Sequence, residues 1–353
     1  MFIYYTTIII TFITSYLAQT IRKKNRIDCD MEYNNLFVVL TGCILILVAG
    51  FRWNVGTDYW QYSINYKKYI STLWEDVRSF REPGINIIAK VSSLIYDDYS
   101  TMFLLASLIT VGLIIQTIAK NSNMFSFSVL LYIFVGIWQG SFNGVRQYLA
   151  CAILFAGHKY IIQREFTKYF IFTLIASMFH QSAIVMILLY FVPVKKIKTK
   201  HLIMLMFLSV AILYSYDIIF DVLEKIKETE FRSYGYMTRN VNIMRVLIAF
   251  APLIVYFFTT NKSQLTNKQF FYINMLFVNA AITAATSSSA YLMRFAIYTN
   301  IYLILGIPTL YNFGDRYLRF IMKFITAILF FLFWYIEVKS SPSLNNYMWI
   351  FSR

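Results

Sequence analysis

The sequence is poor in charge and in cysteine. Only 14% of its 353 residues are charged, whereas 59% are hydrophobic and the mean hydropathy is +0.58. No stretch is large and polar enough to form a separate soluble domain. The three cysteines, Cys29, Cys43 and Cys151, are widely spaced and lie in or near apolar segments, so they predict neither a disulfide framework nor a metal site.

Motifs for nucleotide and hydrolase chemistry are missing as well. There is no P-loop, no glycine-rich nucleotide fingerprint and no Gly-x-Ser-x-Gly. Asp97 and Asp98 are adjacent acids without a third ligand in view, which is weak evidence for a metal ion. We therefore expect no cofactor and no metal, and a process driven by a preactivated substrate or by a gradient.

Acidic residues are outnumbered by basic ones. Lysine and arginine total 32 against 17 aspartates and glutamates, which gives a net charge of +15. No basic stripe, RNA-binding motif or zinc spacing accompanies this excess, so the sequence gives no support for a nucleic-acid partner. Membrane proteins carry such an excess for topology and for contact with anionic lipid headgroups, which makes membrane lipids the expected partner.

Apolar runs are abundant, and they have the length of about 20 residues that a helix needs to cross a bilayer core of roughly 30 Å. The runs are continuous and lack the period-two alternation of a membrane barrel. They predict an all-α fold, a polytopic integral membrane helix bundle that forms a single transmembrane domain over residues 1–353, with about ten spans and one broken-helix hairpin. The predicted spans are 2–19, 36–50, 100–118, 124–140, a helix ending at Ile162, 202–220, 242–260, 269–287, 291–311 and 318–337.

Basic residues predict the orientation of these spans. The cluster from Arg22 to Arg26 follows the first span directly, which places the cluster in the cytoplasm and the start of that span outside. The longest loop, 51–99, is then extracytoplasmic, and its residues 85–95 predict a short interfacial helix after the break at Pro83-Gly84. Residues 221–241 form a second extracytoplasmic loop in this topology.

The apolar run 168–193 has two possible topologies. His180 and Gln181 lie at its middle, and basic residues flank it at both ends. A single crossing would leave one basic cluster outside, whereas a hairpin of two short helices that turns near His180 keeps both clusters inside. A broken helix at membrane depth is tolerated where it lines a protein cavity. The flanking charges therefore favour the hairpin.

Four polar stretches interrupt the apolar sequence, and they are Arg52 to Tyr59, Ser141 to Ala150, Phe179 to Ala183, and Met293-Arg294. An ionisable side chain inside a membrane segment is costly, and it is kept mostly where it faces a cavity and has a function. We interpret the four stretches as the walls of one extracytoplasmic pocket for an anionic lipid-linked substrate.

Arginines are the candidates for binding a diphosphate, because the planar guanidinium donates paired hydrogen bonds to phosphate oxygens. The predicted binding residues are Arg52, Arg146, Gln147 and Arg294. Arg52 could instead be an interfacial anchor after the second span, and Arg294 could form a buried pair with a carboxylate. Arg146 is the strongest candidate, since it lies in an Asn-x-x-Arg-Gln cluster at the head of a predicted helix.

The catalytic candidates are Glu82, His180 and Asp58. A general base must lie close to the attacking hydroxyl, and a carboxylate or an imidazole can serve as one. Asp58 could instead hold an arginine in a salt bridge, and Glu82, which precedes a Pro-Gly pair, could have a structural role in a turn. His180 could be a neutral core histidine that donates one hydrogen bond, although its polar neighbours favour a pocket.

The order of these motifs resembles that of the EpsG-like branch of the Wzy-type bacterial polysaccharide polymerases. The matching pieces are Arg52-x-x-Val-Gly-Thr-Asp58-Tyr59-x-x-Tyr62, Glu82-Pro-Gly84, Asn143-x-x-Arg146-Gln147 and Phe179-His180-x-Ser182-Ala183, with Arg294 in a late span. The resemblance covers nearly the whole chain and adds Asn143, Tyr59 and Tyr62 as supporting residues. It implies a membrane glycosyltransferase bundle of the C type in the bacterial cytoplasmic membrane, with an extracytoplasmic active face.

The resemblance also implies the reaction. Oligosaccharide repeat units of exopolysaccharide, capsule or O-antigen, carried on undecaprenyl diphosphate, would be polymerised without a nucleotide sugar and without a metal. A flippase and a chain-length regulator of the same pathway are the implied protein partners. Related ligases and polymerases often carry a large periplasmic loop, whereas the loops of this sequence are small.

Two other functions fit the same polar residues. A lipid-linked glycan flippase or transporter would also gather arginines around a diphosphate, but it predicts an inverted repeat, which the sequence does not show. Another membrane transferase, such as an acyltransferase that modifies the glycan, predicts a catalytic histidine toward a cytoplasmic thioester donor, and His180 is the candidate. The motifs favour the polymerase.

Overall fold

The computed structural model describes residues 1–21, 23–24, 31–215, 218, 221–222, 224–225, 241–259, 265–311 and 316–353. Helices dominate this part of the chain and its strands are short, so the predicted helical class is confirmed. The chain divides into two compact units. The first consists of Met1–Tyr190 with Lys323–Arg353, and the second is Phe191–Met322.

The first unit is built mainly from helices that follow the apolar runs. Polar residues begin two of them. The Asn34 side chain accepts a hydrogen bond of 3.1 Å from the Leu36 N–H, and Asp98 caps the Ser100 N–H at 2.8 Å. The helices are α1 (Phe2–Thr20), α2 (Asn35–Gly50), α3 (Tyr59–Ser71), α4 (Gly84–Ile95), α5 (Tyr99–Asn121), α6 (Phe125–Phe134), α7 (Ile137–Asn143), α8 (Val145–Ile162) and α9 (Phe166–Ser177), with 3-10 helices at Asp76–Ser79 and Gln181–Phe191.

Two short antiparallel ladders complete the first unit. Strand β1 (Lys23–Lys24) pairs with β2 (Met31–Glu32) in the connection between α1 and α2. Strand β3 (Arg52–Trp53) follows α2 and pairs with β4 (Met348–Trp349). The second ladder thus joins the start of the 51–99 loop to a segment far along the chain.

The second unit is also helical. Within it, the buried Asn274 donates hydrogen bonds of 2.7 and 2.9 Å from Nδ2 to the carbonyl oxygens of Pro193 and Lys195. Its elements are α10 (Thr199–Tyr214), α11 (Ile243–Thr259), α12 (Asn267–Ala285), a 3-10 helix (Leu292–Ala296), α13 (Ile297–Asn300) and α14 (Leu303–Leu310). Helix α15 (Arg316–Ser340) begins in its sequence range and continues into that of the first unit, where α16 (Pro342–Asn345) follows.

Three of the described helices, α1, α5 and α15, are long and apolar enough to cross a membrane. Two bent pairs raise the number to five: α6 with α7 at 42°, and Leu292–Asn300 with α14 at 50°. These pairs occupy the predicted spans 124–140 and 291–311. The first bend falls at Gly136, whose φ of +83° suits glycine. The remaining described helices are either shorter or less apolar, so the prediction of about ten spans is not confirmed.

The loop 51–99 contains more structure than predicted. The helix predicted at 85–95 is confirmed as α4, whereas its location at the membrane interface stays a prediction. The described loop also contains α3, which was not predicted from the sequence. Helix α3 forms because Tyr59, Tyr62 and Tyr66, at spacings of three and four residues, all turn toward the core and are buried. Tyrosine hydroxyls lower the apparent hydropathy of a segment that is nevertheless packed.

The segment 168–193 folds back on itself, as the hairpin prediction requires. Helix α9 and the 3-10 helix Gln181–Phe191 are antiparallel, since the Tyr169 hydroxyl donates to the Met186 carbonyl oxygen at 2.9 Å. The rings of Phe166 and Tyr190, at the two open ends, lie 5.1 Å apart between centroids. His180 is at the tip, and α9 extends about 18 Å, well short of a bilayer core of roughly 30 Å.

Two other predictions concern segments that lie mostly outside the described residues. The second extracytoplasmic loop, 221–241, includes few described positions, and most of the basic cluster from Arg22 to Arg26 is likewise not described. Both stay predictions from the sequence.

The first unit has an aromatic core close to the ends of α1, α7 and α15. The Tyr4 ring meets the indoles of Trp138 and Trp334 edge to face, with centroids 6.2 and 6.4 Å apart. The Trp138 N–H donates to the Leu45 carbonyl oxygen at 3.3 Å. Such aromatic pairs contribute about 0.5–1.5 kcal/mol each beyond their buried area. They hold the start of α7 against α1 and α2.

The hairpin predicts a pattern of chemical cross-links in the membrane. Cysteines replacing Phe166 and Tyr190 should be joined by a short bifunctional thiol reagent, because these side chains are in contact at the open end. Cysteines replacing Phe166 and Phe179 should not be joined, because Phe179 lies at the tip. The native cysteines are first replaced by serine. A single crossing would separate residues 166 and 190, and the first pair would then remain uncoupled in mass spectra.

Candidate active site

Glu82 lies where three elements of the first unit meet. It precedes α4, and its Oε2 is 2.5 Å from Nη1 of Arg146 at the head of α8. Its Oε1 accepts a hydrogen bond of 2.9 Å from the Gln181 backbone N–H and is 2.9 Å from Nδ1 of His180, both at the tip of the hairpin. The structure therefore brings together Glu82, Arg146 and His180, three residues that the sequence analysis singled out.

Close packing at Gly84 fixes the tip of the hairpin beside Glu82. The Gly84 N–H donates to the Met178 carbonyl oxygen at 2.9 Å. A Cβ atom at position 84 would overlap the ring of Phe179. The Pro-Gly pair after Glu82 thus starts α4 and also allows the hairpin to approach, which explains the location of Glu82 beside His180.

The charge of Glu82 is set by its surroundings. Burial opposes ionisation, but the His180 ring, the Gln181 N–H and the Arg146 guanidinium outweigh it and hold the pKa of Glu82 below its usual value. Glu82 is therefore ionised at neutral pH. A carboxylate with a depressed pKa is a weak base, so Glu82 is better suited to orient its neighbours than to take a proton from a hydroxyl.

His180 lies beside the Glu82 carboxylate at the hairpin tip. Its Nδ1 faces Glu82, and its side chain is 23% exposed at the hairpin tip. Because Nδ1 faces the carboxylate, Nε2 is the ring nitrogen left to accept a proton. Of the three catalytic candidates, His180 is therefore the one whose position suits a general base.

Arg146 is held from two sides and still reaches solvent. Its Nε donates to the hydroxyl of the buried Tyr62 at 3.3 Å, and its Nη1 meets Glu82. The side chain nevertheless remains 39% exposed, so an anion can contact the guanidinium. Tyr62, predicted as a supporting residue, thus contacts Arg146, the residue predicted to bind the diphosphate.

Arg81 belongs to the same cluster and was missed as a site residue. Its Nε donates to the side-chain oxygen of Gln181, whose N–H in turn reaches Glu82. The Arg81 side chain is on the exposed side of the cluster. Its position directly before Glu82 is the sequence feature that could have indicated a role in the site. A second guanidinium therefore lies beside the hairpin tip.

Arg52 does not join this cluster. Its side chain is 2% exposed, and it donates from Nε to the Val55 carbonyl oxygen at 3.2 Å and from Nη2 to that of Phe142 at 3.4 Å. The guanidinium carbon lies 4.5 and 5.1 Å from the ring centres of Phe103 and Phe142. Burial lowers the pKa of Arg52 to about 10. The structure thus gives no support for its predicted contact with a diphosphate, because its donors bind the backbone.

The other predicted residues of the first unit are Asn143, Tyr59, Gln147 and Asp58, and they differ in burial and in hydrogen bonding. Asn143 supports the loop, since its Oδ1 accepts a hydrogen bond of 2.8 Å from the Thr57 N–H. Tyr59 is buried, with its ring stacked 4.9 Å from that of Phe103, and Gln147 is also buried. Asp58 precedes α3 and forms no ion pair within the described part of the chain, so its alternative role as a salt-bridge partner is not supported there.

Arg294 lies in the second unit. It belongs to the 3-10 helix Leu292–Ala296, and its guanidinium carbon lies 6.0 Å from the ring centre of Tyr291. Its contribution to a diphosphate site stays a prediction. Among the described residues, no three His, Cys, Asp or Glu side chains are grouped as a metal ion would require.

These features define a class. The chain is a helical protein with apolar helices of membrane-spanning length, and it carries an arginine, a carboxylate and a histidine in contact where its helices end. The model of the EpsG family matches residues 35–350, which is nearly the whole chain, so the chain belongs to the EpsG family. EpsG-like proteins are Wzy-type polysaccharide polymerases, and the resemblance found in the sequence is confirmed. No curated protein and no solved structure matches the chain.

Replacement of Gly84 by alanine should destabilise the hairpin tip. The added methyl overlaps the Phe179 ring, and overpacking of this kind costs about 1–3 kcal/mol. We expect a lower midpoint of thermal unfolding in detergent. Gly112→Ala is the matched control, because a Cβ at that position meets no atom within 4 Å. Equal midpoints for the two variants would contradict the packing described for Gly84.

The depressed pKa of Glu82 predicts a pH dependence of stability. Its ionised form stabilises the fold above the pKa of an unfolded glutamate, and this stabilisation is lost as the pH falls through the lower pKa of the folded protein. The difference in Tm between wild type and Glu82→Gln should therefore shrink with acidification. A Glu82→Gln difference that is constant with pH would refute the assignment.

Proposed function

We propose that the chain polymerises oligosaccharide repeat units carried on undecaprenyl diphosphate, on the outer face of the bacterial cytoplasmic membrane. The observation that carries the proposal is the Glu82–Arg146–His180 cluster in a member of the EpsG family. Transfer of a sugar from a lipid diphosphate needs a cation at the leaving group and a base at the acceptor hydroxyl. The cluster offers both within one site.

The reaction is a single displacement at an anomeric carbon. The acceptor hydroxyl oxygen of one repeat unit attacks the anomeric carbon of the growing chain, and a new glycosidic C–O bond forms. The bond from that carbon to the diphosphate oxygen breaks, and undecaprenyl diphosphate leaves with the electron pair. The hydroxyl proton passes to the protein. Such a displacement inverts the configuration at the anomeric carbon.

Arg146 is assigned to the leaving diphosphate. Negative charge increases on the bridging oxygen as the bond breaks, and a fixed guanidinium stabilises that charge in the transition state. Arg146 also lies in the first turn of α8, where the backbone N–H groups and the helix dipole favour an anion. Arg81 adds a second guanidinium beside the hairpin tip, so the diphosphate has two cations within reach of the cluster.

His180 is assigned as the general base. Its Nε2 takes the proton of the acceptor hydroxyl, while Glu82 holds Nδ1 and stabilises the imidazolium that forms. Glu82 thus links the two halves of the reaction, since one oxygen faces the base and the other faces Arg146. In this assignment Glu82 is a positioning residue and Asp58 has no chemical role.

The outer face is supported by the orientation of α1. Tyr4, near the start of α1, donates to the Leu344 carbonyl oxygen at 2.9 Å, and the neighbouring Ser343 carbonyl accepts from the Gly56 N–H in the loop after α2. The start of α1 therefore lies on the same side as this loop. The other end of α1 leads into the basic cluster from Arg22 to Arg26, which the positive-inside rule assigns to the cytoplasm.

The proposed reaction defines the other components of the process. Its substrate must first be moved to the outer face by a lipid-linked glycan flippase, and a chain-length regulator would act on the product, which would be an exopolysaccharide, capsule or O-antigen. The donor is preactivated by its diphosphate, so the residues assigned here need neither a nucleotide sugar nor a metal ion for the transfer.

Loss of Arg146 or His180 should stop polymer growth in the native host. Removal of one preorganised group that stabilises transition-state charge costs on the order of 10²–10³ in rate. In a deletion strain complemented with Arg146→Ala or His180→Ala, we expect single repeat units to accumulate on undecaprenyl diphosphate and to be accessible from outside. Lys168→Ala, at an exposed residue of α9, is the control and should restore long glycan.

The location of the accumulated units decides between enzyme and transporter. If the units accumulate on the cytoplasmic face instead, the chain is a flippase and the proposal of a polymerase is wrong. Long glycan of normal length from both the Arg146 and the His180 variants, at wild-type protein levels, would refute the assignment of the cluster.

A further inference from the structure

Segment 341–353 forms a strap across the loop between α2 and α3. Its strand β4 pairs with β3, with Trp349 opposite Arg52 and Met348 opposite Trp53. Beyond the ladder, the Ile350 N–H donates to the Phe51 carbonyl oxygen at 2.8 Å. A ladder of two residues on each strand is marginal by itself. Other contacts must therefore hold the strap in place.

Backbone and side-chain hydrogen bonds supply these contacts before the ladder. The Ser343 carbonyl oxygen accepts from the Gly56 N–H at 2.9 Å. The Tyr347 hydroxyl donates to the Val48 carbonyl oxygen in the last turn of α2, at 2.7 Å. The strap is therefore tied to the end of α2 and to the loop that follows it.

Charged and aromatic contacts hold the strap after the ladder. Arg353 meets Asp98, which caps α5, with its two terminal nitrogens at 3.3 and 2.8 Å from the two carboxylate oxygens. The rings of Phe351 and Phe51 lie 5.3 Å apart between centroids. The two-point geometry with Asp98 gives this pair a defined orientation, although both side chains are partly exposed.

The loop beneath the strap contacts the residues directly before Arg146. The Thr57 N–H donates to Oδ1 of Asn143, and Arg52 donates to the Phe142 carbonyl oxygen. A Cβ atom at Gly56 would overlap that same carbonyl oxygen, so the loop lies flat against the end of α7. A continuous set of contacts therefore runs from the strap through the loop to the junction at which α8 begins.

We propose that the strap positions Arg146 for the diphosphate of the lipid-linked substrate, with Tyr347 and Arg353 as its positioning residues. The proposal rests on the proposed function, because it concerns the ligand of Arg146. Helix α8 starts directly after the α7 end that the loop contacts, so a displaced loop shifts the guanidinium relative to Glu82 and Tyr62. The strap touches loops and helix ends, and the Tyr347 ring also packs edge to face on Tyr4 of the aromatic core, with ring centroids 5.6 Å apart. Tyr347→Phe keeps that ring contact and removes only the hydrogen bond of the hydroxyl.

Binding of undecaprenyl diphosphate to the purified chain in nanodiscs tests the proposal. Tyr347→Phe removes one hydrogen bond and Arg353→Gln removes one ion pair, and each should weaken binding roughly three- to tenfold. The Tm of each variant should stay near that of the wild type. Tyr96→Phe is the matched control, because that side chain is exposed in the loop before α5, and its affinity should equal that of the wild type.

The same strap variants made in an Arg146→Lys chain distinguish a positioning role from a general effect on the fold. When Arg146 is already replaced by lysine, the strap variants should cause little further loss of affinity, because the group that they position is absent. An equal loss in both backgrounds, or a Tm that falls with the affinity, would overturn the proposal. So would unchanged affinity in both strap variants.

Failure of the proposed function has a different signature. In that case the wild-type chain itself binds undecaprenyl diphosphate no better than Arg146→Ala does, and it forms no polymer in the host. A wild type that binds the lipid and forms polymer, together with strap variants equal to it, rejects the strap alone.

Discussion

The site depends on one half-buried carboxylate that is shared among three partners. Glu82 is 13% exposed, and a carboxylate at that depth is stable only because Arg146, His180 and the Gln181 N–H surround it. Each of these contacts also fixes its partner. The head of α8, the start of α4 and the hairpin tip are held together at a single side chain, although Arg146 and Gln181 lie 64 and 99 residues after Glu82 in sequence.

This arrangement explains how the flexible side chain of an arginine becomes a preorganised binding group for an anion. A guanidinium on a long side chain loses conformational freedom when it binds an anion, and that loss weakens binding. In Arg146 the freedom is already restricted by Tyr62 on one edge and by Glu82 on the other, while part of the group stays open to solvent. The cluster is thus preorganised for an anion before one arrives.

The sequence predicted those features that have a local physical cause. Apolar runs predicted most of the helices, and Pro83-Gly84 predicted the start of α4. The charges that flank residues 168–193 predicted the hairpin that turns at His180. Arg146 and His180 were proposed as ionisable residues within apolar segments and Glu82 as a carboxylate of the 51–99 loop, and the structure brings the three into contact. Arg52 could not be assigned in this way, because an arginine that binds backbone carbonyls and one that binds phosphate are alike in sequence. The pairing of β3 with β4 was also hidden, since two residues show no periodicity.

The pairing of Arg52 with Trp349 has a consequence for biosynthesis. Contacts between residues so far apart in sequence form late, because the entropy of closing a long loop must be overcome first. During insertion into the membrane, α1 to α9 emerge and can pack well before residue 349 has been synthesised. The loop after α2 therefore lacks its hydrogen bonds to β4 until residues 348–349 have been synthesised. A nascent chain interrupted before that point would hold its helices but not a finished binding site.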